Sequence, residues 1–162
     1  MKIDKQNIAR ITNIEEMIEF LTMNRYEEIN DLESNEFQQL PEWVKDFVFI
    51  LDFETEYEMQ GLYTYLVNST GHYLPNVILS FKRSKNSEIA NLLTELQDIL
   101  FSVGLSPDIL RSSENELSID DFPEIVEKLD DIDNNLTTYI EEKKFWDNVT
   151  VYMQREMNIR SA

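Results

Sequence analysis

The chain has 162 residues, 42% of them apolar, with nine Phe, seven Tyr and two Trp, enough to bury a proper core despite a net charge of −18. It contains no cysteine, which excludes disulfides, thiol catalysis and cysteine-ligated metal. Met1-Lys2-Ile3-Asp4-Lys5 lacks the apolar run of a signal peptide, and no stretch approaches the roughly 18 apolar residues of a membrane span, so a soluble cytoplasmic protein is the expectation.

Taken in chain order, helical periodicity dominates and alternating strand patterns are missing. Asn13 followed by Glu16 has the spacing of a capping box and opens a predicted helix with Ile14, Met17, Ile18 and Leu21 on one face. Residues 24–40 are polar and acidic, and read as a short helix through Tyr26–Leu32 followed by a loop. Pro41 suits the first turn of a long helix, because an N–H there would have no intrahelical partner. Trp43, Val44, Phe47, Val48 and Leu51 recur at helical spacing, and Phe49 and Ile50 widen the arc, so this helix should be buried on most of its circumference.

Glu56–Gly71 is then the stretch around which the chain is organised. It packs Leu62, Tyr63, Tyr65 and Leu66 into a short helical run, and Asn68-Ser69-Thr70-Gly71 stops it, with Gly71 as a left-handed helix stop. Gly61 is expected to permit close approach of another helix. Pro75 restarts a helix bearing Val77, Ile78 and Phe81. Asn86 or Ser87 caps the next, whose stripe from Ile89 to Val103 ends at Gly104. Ser106–Asp121 reads as a loop around a short turn. Pro123 opens a helix with Ile125, Val126, Leu129, Ile132, Leu136, Tyr139 and Ile140, and a last amphipathic helix carries Phe145, Trp146, Val149, Tyr152, Met153 and Met157. Three glycines and four prolines punctuate the whole, and the expectation is an all-α fold, a single compact multi-helix domain over residues 1–162.

The charge is unevenly placed. Residues 15–58 carry a net −12, residues 59–107 are neutral, and residues 108–147 carry a net −9. Two acidic blocks flank a neutral centre, a field that repels nucleic acid and anionic membrane and draws in basic partners. Glu15/Glu19, Glu54/Glu58 and Glu127/Asp131 are i,i+4 pairs on predicted helices, about 6 Å apart along the axis. That is close to two steps of a duplex with about 3.4 Å per base. Such like-charge pairs each cost a helix about 0.2–0.5 kcal/mol, which a surface serving only solubility could avoid.

Chemistry is poorly supported. The single histidine, His72, follows Gly71 in a predicted turn, with no nucleophile elbow in the sequence. Asp131-Ile132-Asp133-Asn134-Asn135 with Glu142 at the twelfth position partly matches a calcium loop, but Leu136 stands at the sixth, where the sharp turn needs glycine, and continues the helical stripe. Neither metal nor cofactor is therefore expected, and the chain reads as non-enzymatic. The cluster Lys82-Arg83-Lys85 is too small to hold nucleic acid against this field and suits a helix C-terminus.

Glu56–Gly71 also resembles the signature of a bacterial family of unknown function, the DNA-mimic-protein-like domains, whose pattern runs E-x-x-N-G-G-F-x-Q-[YF]-[FY]-x-N-S-x-G. Glu56, Gly61, Tyr65, Asn68, Ser69 and Gly71 match, whereas Met59, Gln60, Leu62 and Thr64 replace Asn, Gly, Phe and Gln. The resemblance extends to Leu40-Pro41, Tyr73-Leu74-Pro75, Ala90–Leu93 and Leu129–Leu136. It implies an all-α fold, a homodimer, and an acidic surface that imitates duplex DNA and occupies a transcription factor's DNA-binding face. The motif itself reads as a packing device, so mimicry would reside in surface acids outside it.

The expected function is thus binding of a basic protein, a DNA-binding protein in the mimic version, through Glu15, Glu19, Glu27, Glu28, Asp31, Glu54, Glu58, Glu127, Asp130 and Asp131. An immunity-type inhibitor of a basic toxin or nuclease shares these electrostatics. Two readings from other classes are a metal-dependent hydrolase using clustered carboxylates, which metal-dependent thermal stabilisation would reveal, and an assembly protein using Phe145, Trp146, Val149, Tyr152 and Met153 as an interface.

Overall fold

The computed structural model describes residues 1–161. Asp4 accepts a hydrogen bond from the Asn7 N–H (2.8 Å) and opens α1 (Lys5–Arg10), a short helix that the polar sequence did not announce. Asn13 caps α2 (Ile14–Glu28) through the Glu16 N–H (3.0 Å), as its spacing predicted. The expected separate helix over 26–32 does not form. Instead α2 runs on to Glu28, because Arg25 is held inside the protein, and Ser34 caps the single turn α3 (Asn35–Gln38) that buries Phe37.

Pro41 precedes α4 (Glu42–Val67), the axis of the fold. Trp43, Val44, Phe47, Val48, Phe49, Ile50 and Phe53 are all buried, so this helix is enclosed on most sides, as its apolar run required. A 3₁₀ turn (Ser69–Tyr73) leads to α5 (Leu74–Arg83), and α6 (Ser87–Ser102) ends at Gly104, whose φ of 77° makes the left-handed stop. The segment expected as loop contains α7 (Pro107–Arg111) and a 3₁₀ turn at Ile119–Asp121. Pro123 begins α8 (Pro123–Glu142), and α9 (Phe145–Ser161) closes the order. No strand occurs among the described residues.

Helix α4 packs against α2, α5, α7 and α9, while α6 lies between α5 and α8. One continuous core joins residues from Ile3 to Met157, and the C-terminal residues Phe145, Val149, Tyr152 and Met153 belong to it. They are covered by the chain's own helices and are not an assembly face. Leu136 is fully buried within an unbroken α8, which removes the calcium-loop geometry.

The two motif glycines exchange their expected roles. Gly61 has φ 81° and ψ 171°, a backbone state essentially reserved for glycine, and breaks α4 into two helical pieces; a Cβ there would meet nothing within 4 Å. Gly61 faces α8 across a concavity lined by Asp133, Thr137 and Glu141 rather than in close contact. Gly71 is not left-handed, but a Cβ on it would lie 2.6 Å from the carbonyl oxygens of both Tyr65 and Leu66. The close approach therefore belongs to Gly71, where the 3₁₀ turn folds back onto the end of α4.

Candidate functional site

The kink at Gly61 turns the last six residues of α4 and returns Asn68 toward the helix it has just left. The Asn68 side-chain amide donates to Glu56 (3.1 Å) and to Gln60 (2.7 Å), bracketing the break. Tyr65 is 1% exposed, packs edge-on to Phe53 at 5.0 Å between centroids, and its hydroxyl has no hydrogen-bond partner. Glu56, Gly61, Tyr65, Asn68 and Gly71 thus build one corner of the fold.

Three carboxylates of α4 point inward. Asp52 receives Arg25 in a two-pronged pair, Nε at 2.9 Å and Nη2 at 2.5 Å, while Arg25 also donates to the Ile29 carbonyl (2.6 Å). Burial pushes the Asp52 carboxyl above its ordinary pKa, against the pull of Arg25. Asp46 is 1% exposed and accepts from Ser80 (2.8 Å), Arg83 (2.8 Å) and Tyr152 (2.6 Å), tying α4 to α5 and α9. Arg83 also donates to Glu42 (2.9 Å), so part of the basic cluster holds carboxylates together.

Glu54 is the third. It was expected at the partner surface, and the structure places it in the interior, where it accepts from the Trp146 indole N–H and from Lys143 (3.5 Å). Glu54 lies on the face of α4 that meets the start of α9, so its neighbours leave only 12% of its side chain exposed. Desolvation raises its pKa, opposed by Trp146 and Lys143. Glu58, four residues on, is exposed but bound to the same Lys143 (2.8 Å). The sequence signal for these inward acids was available. Asp46, Asp52 and Glu54 sit within an otherwise apolar run, where a carboxylate must find a cation.

The remaining candidates lie in solvent on other elements. Glu15, Glu19, Glu27 and Glu28 are exposed along α2, Asp31 follows in the loop, and Glu127, Asp130 and Asp131 are exposed on α8. Glu28 lies 3.9 Å from the N-terminal amine. Asp130 accepts from the Tyr63 hydroxyl, and burial together with Asp130, Asp133 and Asp120 pushes that hydroxyl's pKa up. With Glu54 withdrawn and Glu58 paired, the open acidity is carried by α2 and α8 rather than by α4.

His72 bridges two carboxylates from separate segments, Asp108 at 2.7 Å and Glu33 at 3.4 Å. It ties the 3₁₀ turn to α7 and to the loop before α3, and among the described residues its hydrogen-bond partner is the Asp108 carboxylate rather than a serine or threonine hydroxyl. Among the described residues no group of three His, Asp or Glu side chains is arranged to hold a metal ion. No described helix is long and apolar enough to cross a membrane.

The DMP19-like protein family matches this chain over residues 38–156, a span that begins just before α4 and ends within α9. No curated protein and no solved structure gives a significant match.

Proposed function

Starting from the fact that the chain belongs to the DMP19-like protein family, we propose that it is a non-enzymatic DNA mimic whose exposed carboxylates occupy the basic face of a DNA-binding protein. The observation that carries this reading is the division of the acids. Asp46, Asp52 and Glu54 are consumed in the interior by Arg83, Arg25 and Lys143, while Glu15, Glu19, Glu27, Glu28, Asp31, Glu127 and Asp131 stay in solvent. Fold stability accounts for the first group more directly than for the second, in which Glu28 meets the N-terminal amine at 3.9 Å and Asp31 accepts from the Glu33 N–H (2.9 Å). Rows of carboxylates about 6 Å apart along a helix can meet Lys and Arg that otherwise meet phosphates.

Duplex DNA and this protein should then compete for the same partner. A complex captured from lysate on the immobilised protein should be released by added duplex DNA, and a complex indifferent to DNA argues against mimicry. Lysine at Glu15, Glu19, Glu127 and Asp131 should abolish capture while leaving the circular dichroism spectrum unchanged.

A further inference from the structure

A concavity of about 540 Å³ lies between the end of α4, α7, the 112–118 loop and the start of α8. Its apolar wall includes Val67, Leu117, Ile119 and Val126, and Asp120 and Asp130 stand with them. Val67 is 44% exposed and Leu117 is 49% exposed, so two aliphatic side chains of this wall face solvent. Leu117 is nonetheless held firmly: Asn115 accepts from its N–H (3.1 Å) and donates to its carbonyl (2.6 Å). A solvent-facing leucine whose backbone is already anchored loses less freedom when another chain packs on it.

We propose that this groove seats a short segment of the basic partner, with apolar side chains on Val67 and Leu117 and flanking Lys or Arg against Asp120 and Asp130. Charge complementarity selects this occupant. The groove's lining contains no Lys, Arg or His, and a third carboxylate, Asp133, is near enough to act with Asp120 and Asp130 on the Tyr63 hydroxyl. A second copy packed groove to groove would bring its own Asp120 and Asp130 against this rim. A neutral apolar molecule would leave the carboxylates unanswered. The inference rests on the mimic reading and adds to it a contact that duplex DNA cannot make. The helical acids set how steeply binding depends on salt, and the groove sets a part of the affinity that salt does not remove.

The test is a ¹⁵N-HSQC titration of the full chain with a 14-residue peptide of Leu and Lys at helical spacing, beside an oligolysine of equal charge. The Leu–Lys peptide should shift the amides of Val67, Leu117, Ile119 and Val126 and bind at least tenfold more tightly than oligolysine. The double variant Val67→Gln/Leu117→Gln, altered only at exposed side chains, should lose that tenfold at both low and high salt. Equal affinity for the two peptides, shifts elsewhere, or an unaffected variant overturns the proposal. So does a higher mass in solution for the native chain than for the double variant, which would make the occupant a second copy. The mimic reading fails separately, if neither peptide shifts the amides of Glu15, Glu19, Glu127 or Asp131 at low salt.

Discussion

Arg25 reaches from α2 to grip Asp52 on α4 through two hydrogen bonds of 2.9 and 2.5 Å, with both side chains more than nine-tenths buried. The pair converts part of the acidic N-terminal block into a structural joint, because a lone carboxylate could not stay ionised there. Arg25→Met leaves Asp52 buried without its cation and should destabilise the fold by about 3–5 kcal/mol. Urea unfolding of the two chains measures it, and a loss below about 1 kcal/mol would mean the pair is solvated.

The motif glycines make a second test. Gly61→Ala should cost about 1–3 kcal/mol through backbone strain alone, since there is open space around the new methyl. Gly71→Ala should cost about 1–3 kcal/mol for a different reason, collision with the Tyr65 and Leu66 carbonyls at 2.6 Å. A crystal structure of each variant separates the causes: residues 60–62 change dihedral angles in the first, and the 3₁₀ turn moves off α4 in the second.

Two buried tyrosines should respond oppositely to loss of the hydroxyl. The Tyr65 hydroxyl has no partner, so Tyr65→Phe should leave stability within about 0.5 kcal/mol or raise it. Tyr57 bonds Asp133 (2.7 Å) and Thr137 (2.6 Å) on α8, and Tyr57→Phe should cost about 0.5–1.5 kcal/mol. Thermal midpoints in one buffer rank them.

The helices and their caps were largely legible in the sequence because apolar spacing and capping are local. Asn13, Pro41, Gly104 and Pro123 mark boundaries where they were expected. What was hidden depended on contacts far along the chain. Arg25 draws its own turn into α2 by pairing with a residue 27 positions away, and Glu54 is buried by Trp146, 92 positions away. The glycine roles were also closed to inspection, since a positive φ and a close approach leave the same residue in the sequence. Exposure of the named acids was therefore legible only in part: those of α2 and α8 are exposed, whereas on α4 Glu54 is buried and Glu58 is paired with Lys143.

Stability should rise as the pH falls from neutrality toward the ordinary carboxylate range. Desolvation holds Asp52 and Glu54 above the ordinary carboxylate range, so between the unfolded and folded pKa the native state binds more protons than the unfolded chain. Stability then decreases as pH climbs through that window and is regained on acidification. Relief of repulsion at a net charge of −18 acts in the same direction. Thermal melts across this range should show a higher midpoint at the lower pH, and Glu54→Gln should flatten the slope. A midpoint that falls steadily as the pH drops from neutrality toward that range would contradict the assignment.

The most direct test of the mimic account is a capture from the source cell's lysate at a series of salt concentrations, using the native protein, the Lys variant at Glu15, Glu19, Glu127 and Asp131, and Glu54→Gln. The account predicts that a basic DNA-binding protein is recovered by the native chain and by folded Glu54→Gln, weakens steeply as salt rises, and is missing from the Lys variant. Recovery that ignores both salt and the four lysines, or no basic protein at all, would contradict it and leave the open acids without a partner.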